Sequence, residues 1–192
     1  EDIGYTFESA LRSFLRQDPE VILVGEIRDK ATVDIALKAA LTGHLVLSTL
    51  HTNTAAGAIT RLQDLGVDSF LLASTVRGII SQRLMRKLCT HCRKEVPADE
   101  YHRNLLGLPK GATIFESQGC EHCNNTGFVG RQALFELVTV SAELQSLIHE
   151  NAGEIELEQS IRQHVPSIRE AGFNLVREGT TTVEEVLRVT SV

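Results

Sequence analysis

Four cysteines fall in two C-x-x-C pairs, Cys89-Thr-His-Cys92 and Cys120-Glu-His-Cys123. A C-x-x-C turn presents two thiolates from one knuckle. Two such knuckles complete a closed tetrahedral set, which is the pattern of a structural rather than a catalytic zinc site. His91 and His122 lie inside the knuckles and leave a mixed ligand set open. The competing reading is four unligated thiols. Nothing in the sequence points to secretion, and in a reducing compartment such thiols are metal ligands rather than disulfide partners. A zinc ion here would tie Leu88–Cys92 to Cys120–Cys123 and fix the loop between them.

A second group of candidates is acidic and imidazole. In Val21–Asp29, VILVGEIRD, four apolar β-formers run into a glycine and then Glu26. A carboxylate at the carboxyl end of a buried strand stands where a nucleotide's metal ion or attacking water would need it. The plain alternative is a core strand ending in a surface glutamate. In HLVLSTLHTN, His44 and His51 flank another apolar run, with Ser48, Thr49, Thr52 and Asn53 nearby. If this run lies beside Val21–Val24, Glu26 and His51 emerge on one edge of the sheet, and His51 can contact a terminal phosphate. Arg12 and Arg16 lie four apart, on one face of a helix. They are either a solvated basic face or a pair aimed at phosphates, including those of a neighbouring subunit.

The elements that must position these groups follow from periodicity. Thr6 caps a helix to about Gln17, ended by Asp18-Pro19. Strand Val21–Val24 leads to a helix capped by Asp29 and running to about Thr42, with Gly43 at its C-cap. His44–Leu50 is a strand, and Ala55–Leu65 a helix closed by Gly66. Strand and helix alternate over short links, which predicts a parallel sheet with right-handed crossovers. Asp68–Leu84 reads as one longer helix, Val96–Gly119 as irregular, and Gln132–Val138 as a strand. Short helices follow at Glu143–His149, Ile155–His164, Ile168–Arg177 and Val183–Val189. The composition shift near residue 85 divides the chain into an α/β part (1–85), a cysteine module (86–138) and a helical part (139–192).

The net charge of −6 argues against bulk attraction to nucleic acid or an acidic membrane. Arg77, Arg83, Arg86, Lys87, Arg93 and Lys94 nevertheless form a local basic run, either a solvated face or a protein contact surface. No apolar run approaches the roughly 18–20 residues that cross a bilayer. The opening EDIGYTFESA has neither the basic nor the apolar region of a secretory signal, and begins in mid-pattern, as a fragment would.

Taken together, TFESALRSFLRQDPEVILVGEIRD, TGHLVLSTLHTN, AITRLQDLGV, RLMRKLCTHC with its second pair CEHC, and TTVEEVLRVT resemble the ATPases of type II secretion and type IV pilus assembly. The resemblance covers nearly the whole chain; residues 96–118 match least. It implies a partial RecA-like P-loop core, a parallel sheet with flanking helices, followed by a tetracysteine zinc module and a small C-terminal helical subdomain. It also implies homohexamers working with ATP and Mg²⁺ at the cytoplasmic face of the inner membrane. There they would be held by platform and adaptor proteins rather than by a span of their own.

Within that resemblance VILVGEIRD is similar to the Walker B block, with Glu26 as its glutamate. Gly25 stands where a generic Walker B has aspartate, so Glu26 would position water or hold Mg²⁺ through water. GHLVLSTLHTN is similar to the histidine box, which gives His51 a γ-phosphate role and His44 a supporting one. Arg12 and Arg16 match an LRxxLRxDP block with an electrostatic or intersubunit role. The cysteine pairs favour pilus extension or secretion over retraction. No G-x-x-x-x-G-K-[ST] occurs in the 192 residues. Without that loop no backbone cradle holds the β- and γ-phosphates, and these residues alone are expected to be inactive. The rival reading is a non-enzymatic zinc-stapled module that binds protein or nucleic acid; the acidic charge and the lack of interleaved aromatics argue against the latter.

Overall fold

The computed structural model of the chain describes residues 9–10, 13–14, 16–17 and 19–191. Most of the helix expected at Thr6–Gln17 lies outside them. Of those described, Ser9, Ala10, Ser13 and Phe14 are helical and Arg16-Gln17 form a turn. Contacts divide the chain into two compact units. One comprises the described part of Glu1–Ile79 with Val138–His164, the other Ile80–Leu137 with Val165–Val192.

The first unit begins as expected. Strand β1 (Val21–Val24) leads through helix α1 (Lys30–Leu41) to strand β2 (Leu45–Ser48), and the strands pair in parallel, Val21 opposite Leu45 and Val24 opposite Ser48. Asp29 caps α1 by accepting from Thr32 N at 2.8 Å. Gly43, at φ +101°, lets the chain turn back where a side chain would be strained. Ile22, Val24, Ile35 and Ala39 form the core between sheet and helix, with Ile27 and Val46 packed against it. Strand alternation sends Val21, Leu23, Leu45 and Leu47 to the opposite face, where all four are exposed. Helix α2 (Ala55–Asp64), capped by Thr54, and helix α3 (Ser69–Thr75) follow. They pack with α5 (Ala142–His149) and α6 (Glu154–Arg162), both close to their expected bounds.

The long helix expected over Asp68–Leu84 is a correction. Helix α3 stops at Thr75, and Gly78–Leu88 is strand β3, paired with β6 (Phe128–Thr139). Apolar residues in this stretch fit a helical period, but Gly78 and the β-branched pair Ile79-Ile80 favour an extended chain. The decisive partner lies far along the sequence. The flanking bonds Val140 N to Arg77 O (3.1 Å) and Cys89 N to Gly127 O (2.9 Å) show that the strands run antiparallel.

In the second unit, Val96–Gly119 is more ordered than expected. Strands β4 (Lys94–Pro97) and β5 (Thr113–Glu116) pair antiparallel around helix α4 (Glu100–Leu106). Asp99 caps α4, accepting from His102 N at 2.8 Å. Helices α7 (Ile168–Arg177) and α8 (Val183–Thr190) complete the unit. Its core gathers Met85, Leu106, Ile114, Leu134, Phe173, Val176, Val183 and Val186. Burying such side chains supplies about 1.5–3 kcal/mol each.

Candidate functional site

The parallel pairing of β1 and β2 brings Glu26 and His51 to the same sheet edge. Beyond the last strand pair, Ile27 N donates to Thr49 O at 3.1 Å, and Thr49 Oγ1 donates to Gly25 O at 2.6 Å. These bonds carry the parallel register past Val24. His51 Nε2 then lies 2.9 Å from Glu26 Oε1, and Arg28 Nη2 2.6 Å from Glu26 Oε2. The Glu26 side chain is 23% exposed, His51 81% and Arg28 77%, so a sheltered carboxylate is flanked by accessible donors. The Arg28 guanidinium first, and His51 after it, hold the Glu26 carboxyl below the usual carboxylate range against the opposing effect of desolvation. An ionised carboxylate beside an imidazole, at the carboxyl end of parallel strands, can orient a water molecule and face a phosphate.

The other sequence candidates lie elsewhere or outside the described residues. His44 precedes β2, at the opposite end of the strand pair from Glu26. Its Nδ1 lies 3.0 Å from Ala39 O and 3.0 Å from Thr42 Oγ1, closing the C-terminus of α1. Arg16 is exposed and donates to Ser13 Oγ at 3.1 Å. Arg12 lies outside the described residues.

The four cysteines converge. Their sulfurs all lie within 4.8 Å of one another; Cys89–Cys120 is 3.9 Å, Cys92–Cys123 3.8 Å and Cys120–Cys123 3.8 Å. A tetrahedron with metal–sulfur bonds of about 2.3 Å has edges near 3.8 Å, so the spacing suits one metal ion. The cluster contains no histidine; His91 and His122 instead face each other, ring centroids 4.1 Å apart. Each knuckle is built by local backbone bonds, Arg93 N to Cys89 O (2.9 Å) and Asn125 N to Cys120 O (2.8 Å). Burial opposes a thiolate at Cys123, but the N–H groups of Cys120 and Gly127 overcome it and draw its pKa down to about 6. Burial pushes Cys92 up to about 12. Four adjacent thiolates repel one another, and a bound cation is what would allow all of them to ionise together.

Part of the basic run is structural. Arg93 donates to Gly179 O at 2.8 Å and lies 4.6 Å over the Phe115 ring. Arg86 lies 4.3 Å over Phe128, and its Nη2 lies 2.7 Å from Oε2 of Glu185, a carboxylate only 1% exposed. Sequence reasoning missed Arg28 and Glu185. Alternation in an extended chain, which sets Arg28 on the same side as Glu26, would have found the first. Glu185 carried no signal in its helix.

The fold is one shared with ATPases of known structure. The chain is similar to the structure of the pilus retraction motor PilT with bound ADP, at TM-score 0.69 and 30% identity over 98% of this chain and 44% of that one. The ATPase DotB of Legionella pneumophila shares the fold, at TM-score 0.64 and 23% identity over 94% of this chain and 41% of that one. More narrowly, the chain belongs to the type II/IV secretion system protein family, whose model matches residues 1–188. It is 49% identical to type II secretion system ATPase E of Vibrio cholerae over 98% of this chain, and 47% identical to the type IV pilus assembly ATPase PilB of Thermus thermophilus over 96%. The chain spans 38% of the first relative's length and 21% of the second's. Among the described residues no helix is long and apolar enough to cross a membrane.

Proposed function

We propose that these residues are the C-terminal part of a hexameric motor ATPase, which couples ATP hydrolysis to assembly of a pilin or pseudopilin fibre in type II secretion or type IV pilus biogenesis. The observation that carries this reading is the Glu26–His51 contact of 2.9 Å at the carboxyl edge of β1 and β2. Glu26 orients the attacking water. His51 faces the terminal phosphate through Nε2. When bound, Mg²⁺ offsets charge on the phosphate oxygens. Residues 1–85 then belong to the RecA-like core, 86–138 to a zinc module and 139–192 to a helical subdomain. Four cysteines at tetrahedral spacing favour zinc, an ion at home in an all-sulfur site.

The exposed apolar face of β1 and β2 supports a larger core, because parallel sheets are ordinarily covered on both faces. Arg12, Arg16 and His44 keep a nucleotide-associated role in this reading. The motor works at the cytoplasmic face of the inner membrane with platform and adaptor proteins. A purely structural zinc module would leave the Glu26–His51 pair without a use. Phosphate release from ATP tests the reading. The intact protein turns ATP over, and the 192 residues alone, lacking any G-x-x-x-x-G-K-[ST], do not. An intact protein without ATP turnover would contradict it.

A further inference from the structure

Both oxygens of Glu26 are engaged, Oε1 with His51 and Oε2 with Arg28. The backbone here is fixed on both sides. Thr49 holds Gly25 and Ile27, while Asp29 caps α1 directly after Arg28. Ile27 packs against the core under the sheet. Glu26 and Arg28, one residue to either side of it, meet each other at 2.6 Å. The two contacts on the carboxylate differ in kind. Arg28 is a permanent cation two residues away on the same fixed segment, whereas His51 reaches in from β2's loop and is also placed to meet a phosphate.

We propose that Arg28 is a positioning residue for Glu26: its guanidinium keeps Oε2 and fixes the carboxylate, leaving Oε1 as the working oxygen that passes from His51 to the attacking water. The proposal rests on the reading of Glu26 given above. In the step it serves, the water oxygen bonds the terminal phosphorus. The bond to the bridging oxygen breaks and its electron pair leaves with ADP. The water's proton goes to Oε1. The depressed pKa of Glu26, in which Arg28 is the leading influence and His51 a lesser one, agrees with this geometry.

Two measurements test it. In the 192-residue chain, a carbon-13 NMR titration of the Glu26 carboxyl needs no catalysis. Arg28→Gln raises its midpoint, Arg28→Lys raises it less, and His51→Gln moves it less than Arg28→Gln. An unmoved midpoint in Arg28→Gln overturns the proposal. In the intact motor, Arg28→Gln lowers kcat by about tenfold or more with little change in KM for ATP, and Arg28→Lys recovers part of the loss. The acid limb of the kcat profile moves to higher pH. A raised KM with unchanged kcat, or an unchanged kcat beside a shifted midpoint, overturns it. If Glu26→Gln leaves turnover intact, the reading of Glu26 has failed, and the titration still reports whether Arg28 holds that carboxylate.

Discussion

Thr54 Oγ1 donates to Glu154 Oε1 at 2.7 Å, tying the end of the His51 loop to the first turn of α6. The same hydroxyl accepts from Gly57 N at 2.8 Å and so caps α2. One side chain therefore fixes both a helix start and a contact distant in sequence. Thr54→Val is expected to cost about 1 kcal/mol, the usual cost of losing a cap. Thr54→Ser, which keeps the hydroxyl, is expected to cost less. Denaturant unfolding of the two variants checks this, and equal stabilities would remove the hydroxyl from the account.

The cysteine cluster is expected to hold one zinc per chain. Metal analysis of protein purified without chelator should find about one equivalent, and Cys123→Ser should lose it. Zinc-bound thiolates must stay deprotonated, so acidification releases the ion. Because β4, α4 and β5 lie between the two knuckles, chelation should lower the unfolding temperature. A stoichiometry near zero would contradict the site.

Glu185 is a buried carboxylate held by Arg188, at 2.9 Å and 2.6 Å, and by Arg86 through both backbone and side chain. These partners, Arg188 foremost, overcome desolvation and keep its pKa far below the ordinary range. A depressed folded-state pKa stabilises the fold fully above the unfolded value, about 4.3, and this contribution is lost as pH falls through the folded-state pKa. Glu185→Gln is expected to cost about 2 kcal/mol at neutral pH and to flatten the acid side of the stability profile. Denaturant midpoints between neutral pH and pH 3 measure both effects.

What the sequence made readable follows from the range of the forces involved. The β1–α1–β2 crossover was set locally, by apolar runs, the Asp29 cap and Gly43, and it stands as read. The two C-x-x-C pairs declared their own convergence, because metal-ligand spacing is a local pattern. Strand β3 was misread because its partner β6 begins at Phe128, beyond the reach of any helical or strand period. Strands β4 and β5 were missed for a related reason, each being four residues long with its partner on the far side of α4. Arg28 and Glu185 drew no reading of their own, since neither a strand end nor a short helix marks one charged residue apart from another. Only packing shows that each faces an opposite charge.

Helices α7 and α8 approach closely at Gly172, where an added Cβ would lie 2.6 Å from Val186 Cγ1 and 3.0 Å from Cγ2. Gly172→Ala therefore overpacks the core of the second unit and is expected to cost about 1–3 kcal/mol. Val186→Ala opens a cavity at the same place. The double variant should lose less than the sum of the two, because each defect relieves the other. Additive losses in a thermal or denaturant cycle would contradict the contact.

In the function proposed above, Glu26 acts on water at the edge it shares with His51. Its most direct test is ATP turnover by the intact motor carrying Glu26→Gln, measured beside nucleotide binding in the same preparation. The amide keeps the size of the side chain but cannot act as a carboxylate. Turnover is expected to fall by about a hundredfold or more, with nucleotide still bound. Turnover retained at the parent's rate would contradict it.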